Sequence, residues 1–69
     1  MEEVKISTDT IQLNQFLKWA NIVSSGGEAK ILINEGHIKV NDSLEKRRSK
    51  KLNIGDIIAI NNQLYKIIK

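Results

Sequence analysis

Apolar positions in this chain fall into two rhythms, one of three to four residues and one of two, and the points where the rhythm changes mark its elements. Val4-Lys5-Ile6 alternates and predicts a short first strand, while Ser7 to Thr10 is a turn rich in capping residues. Asp9, with Gln12 three residues on, has the pattern of a helix start. Leu13, Phe16, Leu17, Ala20 and Val23 then fall at helical spacing and predict a first helix over roughly 11–21. Ser25 and Glu28 have the spacing of a capping box, in which the hydroxyl accepts from a free helix amide and the carboxylate reaches back to the cap's own N–H. A second helix therefore begins near Gly26. Its apolar stripe is Ala29, Leu32 and Ile33, and Gly36 stands where a left-handed residue is needed to end it.

Beyond Gly36 the rhythm is that of strands. His37 to Val40 alternates, with Ile38 and Val40 facing in and His37 and Lys39 facing out. Asn41-Asp42-Ser43 is turn chemistry leading to a short strand around Leu44 to Lys46, and Asn53 to Asp56 is a further turn. Ile57 to Ile60 and Leu64 to Ile68 are β-prone runs joined as a hairpin at Asn61-Asn62-Gln63. Two helices packed on one face of a small, mostly antiparallel sheet make an α+β fold. No repeat, linker or low-complexity tract interrupts residues 1–69, which are expected to form a single domain.

Composition bounds the possibilities. Sixty-nine residues without a cysteine must fold on a small aliphatic core, with neither a disulfide nor a thiolate metal site to help. A folded monomer is expected. No apolar run approaches membrane-spanning length and Met1-Glu2-Glu3 opens no signal peptide, so a cytoplasmic protein without membrane contact is expected.

The net charge of +3 becomes informative once divided by position. Residues 1–36 set three lysines against five carboxylates, a balance of −2, whereas residues 37–69 set eight cations against three carboxylates, a balance of +5. The surplus is concentrated in Glu45-Lys-Arg-Arg-Ser-Lys-Lys51. Lysine and arginine neutralise phosphates and release condensed counterions, and arginine's planar fork can hold a phosphate through two hydrogen bonds. By itself the run fits other polyanions too, or a solvated loop that keeps a small protein soluble. On a helical wheel Lys30 and Asn34 lie together, one turn apart, away from both the apolar stripe and the carboxylates Glu28 and Glu35, and so give the second helix a polar flank.

The ordered set Leu13, Phe16, Leu17, Ser24, Ser25, Ala29, Lys30, Leu32, Gly36, His37, Ile38, Val40 and Asn41, followed by Gly55-Asp56-Ile57, resembles the S4-like RNA-binding domains, and most nearly the short stand-alone bacterial members of the YaaA and YbcJ type. The resemblance implies two helices on a small sheet, the alpha-L motif. It also implies RNA contacts from basic residues on the second helix, with Lys30 at one such position. Three positions depart from the family pattern: Gln12 and Gly26 stand where arginine is frequent, and Asn14 where aspartate is. These departures shift the burden toward Lys39 and the loop at 46–51.

The expected RNA-binding set is Lys30, Asn34, His37, Lys39, Lys46, Arg47, Arg48, Lys50 and Lys51. The expected partner is structured RNA, with ribosomal RNA and ribosomal particles as the context the resemblance implies, in ribosome assembly or maturation. Structured RNA suits this chain better than duplex DNA, because no helix rich in base-reading side chains is evident. Two other readings stay open: a protein-interaction adapter that uses the basic loop, with Trp19 and Ile31 as an apolar patch, and a DNA-associated factor. Ser24-Ser25-Gly26-Gly27 lacks the Gly-Lys-Ser/Thr ending of a nucleotide-binding loop. His37 is the only histidine, so no metal site, cofactor or catalytic constellation is expected.

Overall fold

Two paired asparagine-led turns organise the larger sheet. In the computed structural model, which describes residues 1–69, Asn41 and Asp42 take φ values of 50° and 71°, and Asn61 and Asn62 take 48° and 70°. Consecutive left-handed residues make the tight turn whose twist matches a hairpin, and asparagine tolerates that conformation better than most side chains. The first turn joins β3 (Ile38–Val40) to β4 (Ser43–Leu44), and the second joins β6 (Ile57–Ile60) to β7 (Gln63–Ile68). With β1 (Glu2–Lys5) these strands form a five-stranded sheet of order β1-β7-β6-β3-β4. All its pairings are antiparallel except β1 with β7, where Val4 lies opposite Ile67. Ile6 extends that contact by donating its N–H to the Ile68 carbonyl at 2.9 Å, and Lys69 reaches Asp9 at 2.6 Å.

A second, two-stranded sheet pairs β2 (Thr10–Gln12) with β5 (Lys51–Asn53), placing Ile11 opposite Leu52. This sheet corrects the expected start of the first helix. Asp9 is taken by Lys69, the Gln12 side chain makes no cap, and helix α1 runs only over Leu13–Trp19. The reason is tertiary: pairing with Lys51–Asn53 draws Thr10–Gln12 into strand, and loop carbonyls take over the capping that a side chain was expected to supply. The strand expected at Leu44 to Lys46 is observed as Ser43–Leu44: Glu45 still donates its amide to the Ile38 carbonyl, and the turn beyond it, in which the Glu45 carboxylate accepts from the Arg47 amide, takes the chain out of the sheet.

Helix α2 (Gly26–Asn34) forms as its sequence dictates. Ser25 is extended, and its hydroxyl accepts from the Glu28 amide at 3.2 Å. The Glu28 carboxylate, however, accepts from the Ser24 hydroxyl instead of reaching back to the Ser25 amide. Gly36 ends the helix at φ +77°. Both helices cover one face of the larger sheet with a core in which Leu13, Phe16, Leu17, Ile33, Ile38, Leu52, Ile58 and Ile67 are fully buried. Phe16 meets Tyr65 edge to face, with ring centroids 6.4 Å apart. Leu32, expected in the core stripe, packs only at its margin. Trp19 is 57% exposed, and its indole N–H donates to the Lys5 carbonyl at 2.8 Å, tying the end of α1 to β1.

Candidate nucleic-acid interface

The first amides of a helix have no partner inside it and must find one elsewhere. In α1 that partner is the basic loop. Leu13 donates to the Lys50 carbonyl at 2.9 Å and Asn14 to the Arg48 carbonyl at 3.0 Å, while Lys50 donates to the Arg47 carbonyl at 3.3 Å and so closes the loop's own turn. The backbone of the basic run is therefore fastened to the helix by two bonds, and the side chains that follow from it project around the start of α1. Asn14, Arg47, Arg48 and Ser49 line an open notch there of about 440 Å³ with no apolar residue in its wall. The Asn14 side-chain oxygen is covered and has no hydrogen-bond partner.

One carboxylate fixes this loop from below. Glu45 is only 9% exposed, although it begins the most basic stretch of the chain. Its amide donates to the Ile38 carbonyl at 3.0 Å, and its Oε2 accepts from both the Arg47 amide and the Arg47 Nε, each at 3.0 Å. The second oxygen, Oε1, accepts from Arg47 Nη2 at 3.4 Å. The Arg47 hydrogen bond holds the Glu45 carboxyl below the usual glutamate range against the opposing effect of burial, with Lys50 adding a smaller attraction. The same contact raises Arg47 above the usual arginine value.

The nine expected binding residues do not share one surface. Arg47 and Arg48 share the notch. Lys46 runs from the loop toward the end of α2, where a Cβ on Gly36 would stand 3.7 Å from its Cε. Lys30 and Asn34 are exposed on α2, on the flank away from the groove formed by Glu28, Ile31 and Glu35. Lys50 is half-buried, and with Lys51 it lines a polar cleft that also holds Glu45 and Asp56, so local carboxylates offset part of their charge. Lys39 leaves the other face of the sheet, opposite Ala59 and Leu44, and shares a hollow there with His37 and Leu64. His37 Nε2 lies 3.5 Å from Glu35 Oε1.

Sequence reasoning missed Glu45 as the anchor of the loop, Ser49 as part of its wall, and Asn14 as more than a lost family aspartate. Only the position of Glu45 at the head of a cationic run signalled its role; the contact of Asn14 with the loop depends on residues more than thirty positions away in sequence. No three side chains among His, Cys, Asp and Glu are grouped to hold a metal, and no helix is long and apolar enough to cross a membrane.

A probable ribosome maturation protein of Bacillus subtilis (strain 168), RlbA, is 44% identical over 57 residues, covering 83% of this chain and 80% of that protein. The solution structure of YbcJ from E. coli, described as having a motif involved in RNA binding, superposes with a TM-score of 0.75 at 26% identity, covering all of this chain and 89% of that one. The fold is shared with the trimeric heat shock protein 15 of Vibrio cholerae at a TM-score of 0.75 and 22% identity; the match covers 88% of this chain but only 65% of that protein. The model of the S4 domain matches residues 4–68, nearly the whole length, and the chain belongs to the S4 domain family.

Proposed function

We propose that this protein binds structured RNA, with ribosomal RNA as its partner, and acts as a non-enzymatic factor in ribosome maturation. The observation that carries this reading is the arginine-bearing loop fastened by its backbone to the start of α1, which presents Arg47, Arg48 and Ser49 around a polar notch. A prefixed Arg47 guanidinium, an unpaired Arg48 and a hydroxyl on an anchored backbone suit phosphate and 2′-hydroxyl groups, and a surface of this kind selects RNA by shape more than by base sequence. Lys46 continues the cationic surface toward Gly36 at the end of α2, and Lys30 and Asn34 add an exposed polar flank along that helix. Lys50, Lys51 and Lys39 contribute long-range attraction, while His37 and Lys39, on the outer face of the sheet, lie outside the direct contact. The likeness to YbcJ supports RNA as the ligand class, and the relative from B. subtilis supports the ribosome as its setting. The working form is a cytoplasmic monomer.

Crosslinking in cells, followed by sequencing of the attached RNA and sedimentation of lysate before and after nuclease, tests the reading. Enrichment of ribosomal RNA and nuclease-sensitive co-sedimentation with ribosomal particles are expected. Association that survives nuclease would favour a protein partner, and preferential recovery of duplex DNA would replace RNA as the ligand.

A further inference from the structure

Simple electrostatics makes Glu45 a defect. A carboxylate at the head of a phosphate-binding loop repels the ligand and spends part of an arginine's charge, so its removal should tighten binding. The geometry points the other way. We propose that Glu45 is a positioning residue of the RNA surface, whose buried carboxylate fixes the Arg47 guanidinium and the turn of the loop, so that this acidic side chain strengthens RNA binding.

Three observations carry the inference, which rests on the RNA reading above. Glu45 is anchored from the sheet side, since its own amide is bonded to the Ile38 carbonyl. Its carboxylate also accepts the Arg47 backbone N–H, so it sets the course of the chain as well as the direction of one side chain. Finally, the contact leaves Arg47 able to bind. A guanidinium has five N–H donors; Glu45 takes one from Nε and one from Nη2, and three stay available. An arginine on a flexible stem gives up rotamer freedom when it grips a phosphate, and here that cost is met during folding. Arg47 is 71% exposed against 12% for the Glu45 side chain, so the pair has a fixed inner partner and an outer one open to ligand.

The test is RNA affinity measured with a short mixed-sequence RNA hairpin for the wild type, Glu45→Gln, Arg47→Lys, the double variant and Glu3→Gln. Glu3 is an exposed carboxylate on β1 with no ion pair, and its replacement reports the generic effect of adding one positive unit to the net charge of +3. Glu45→Gln is expected to weaken binding by about three- to tenfold despite the same charge gain, Arg47→Lys by a similar factor, and the double variant no further than the weaker single. Affinity equal to or tighter than wild type in Glu45→Gln, or additive losses in the double variant, overturns the proposal. A measurement on the wild type alone keeps it testable if a variant does not fold. The Arg47 Nε–H resonance should stay slowly exchanging and near its free position in the RNA complex, whereas its release from Glu45 on binding would make Glu45 a competitor and overturn the role assigned here. Failure of the wild type to bind any RNA would instead overturn the RNA reading, and the Glu45 role with it.

Discussion

Arg47 and Arg48 are neighbours in sequence but are held in different ways. Arg47 is oriented through its side chain by Glu45, whereas the Arg48 side chain has no ion pair and only its carbonyl is fastened, to the Asn14 amide. On the proposed reading Arg48→Ala therefore removes a phosphate contact without removing a structural one. It should weaken RNA binding and lower the slope of log affinity against log salt by about 0.7–0.9, with an unchanged melting temperature. A salt titration beside a thermal melt checks both halves. Arg47→Ala would be harder to read, because it also strips a buried carboxylate of its cation. The same pair sets a pH response. Glu45 and Asp9 both have folded-state values below their ordinary range, through Arg47 and Lys69 respectively, so each stabilises the fold fully above that range and loses its effect as pH falls through the depressed value. The melting temperature should be insensitive to these two groups from neutral pH down to about pH 5 and fall below about pH 4, less steeply in Glu45→Gln than in the wild type.

At the scale of elements, the helices separate a core face from a contact face, and stability mutants can tell them apart. Ile33 is fully buried and Leu32 only partly, so Ile33→Ala should cost about 2–5 kcal/mol and Leu32→Ala clearly less, as denaturant unfolding would measure. Equal costs would mean that α2 is rotated about its axis, which would also move Lys30 and Asn34. Much of this architecture was legible in the sequence because its signals are local: the Ser25 cap, the Gly36 stop, the inward pair Ile38 and Val40, and the Asn61-Asn62 turn all act within a few residues. The pairing of Thr10–Gln12 with Lys51–Asn53 was not, since neither segment is a convincing strand alone and each is stabilised only by the other. The candidate site suffered from the same limit. Its cations stand out in composition, but which of them share a surface depends on contacts such as Leu13 to Lys50 that bring distant segments together. The outward direction of Lys39, by contrast, was legible from the alternation of His37 to Val40, and it leaves the face of the sheet away from the helices.

Across the whole molecule, charge is arranged by flank. One side of α2 carries Lys30 and Asn34, and the other carries Glu28 and Glu35 around the exposed Ile31, a surface that repels a polyanion. On the proposed reading this charge arrangement steers RNA away from the Glu28 and Glu35 flank, through a field that acts before contact. Lys30→Glu should reduce affinity more than Lys66→Glu, because Lys66 lies on the outer sheet between Glu3 and Ile57. Equal losses in a binding titration would point to attraction by net charge without a defined site.

The central claim is that RNA is bound by the helix and loop side of the molecule, and amide chemical-shift mapping during titration with a structured ribosomal RNA fragment tests it most directly. The account predicts that the largest changes fall on Asn14, Arg47, Arg48, Ser49 and the Lys30 to Asn34 stretch, with Ala59 and Leu64 on the outer sheet nearly unmoved. Changes centred on Ala59 and Leu64, with the loop amides unmoved, would contradict it.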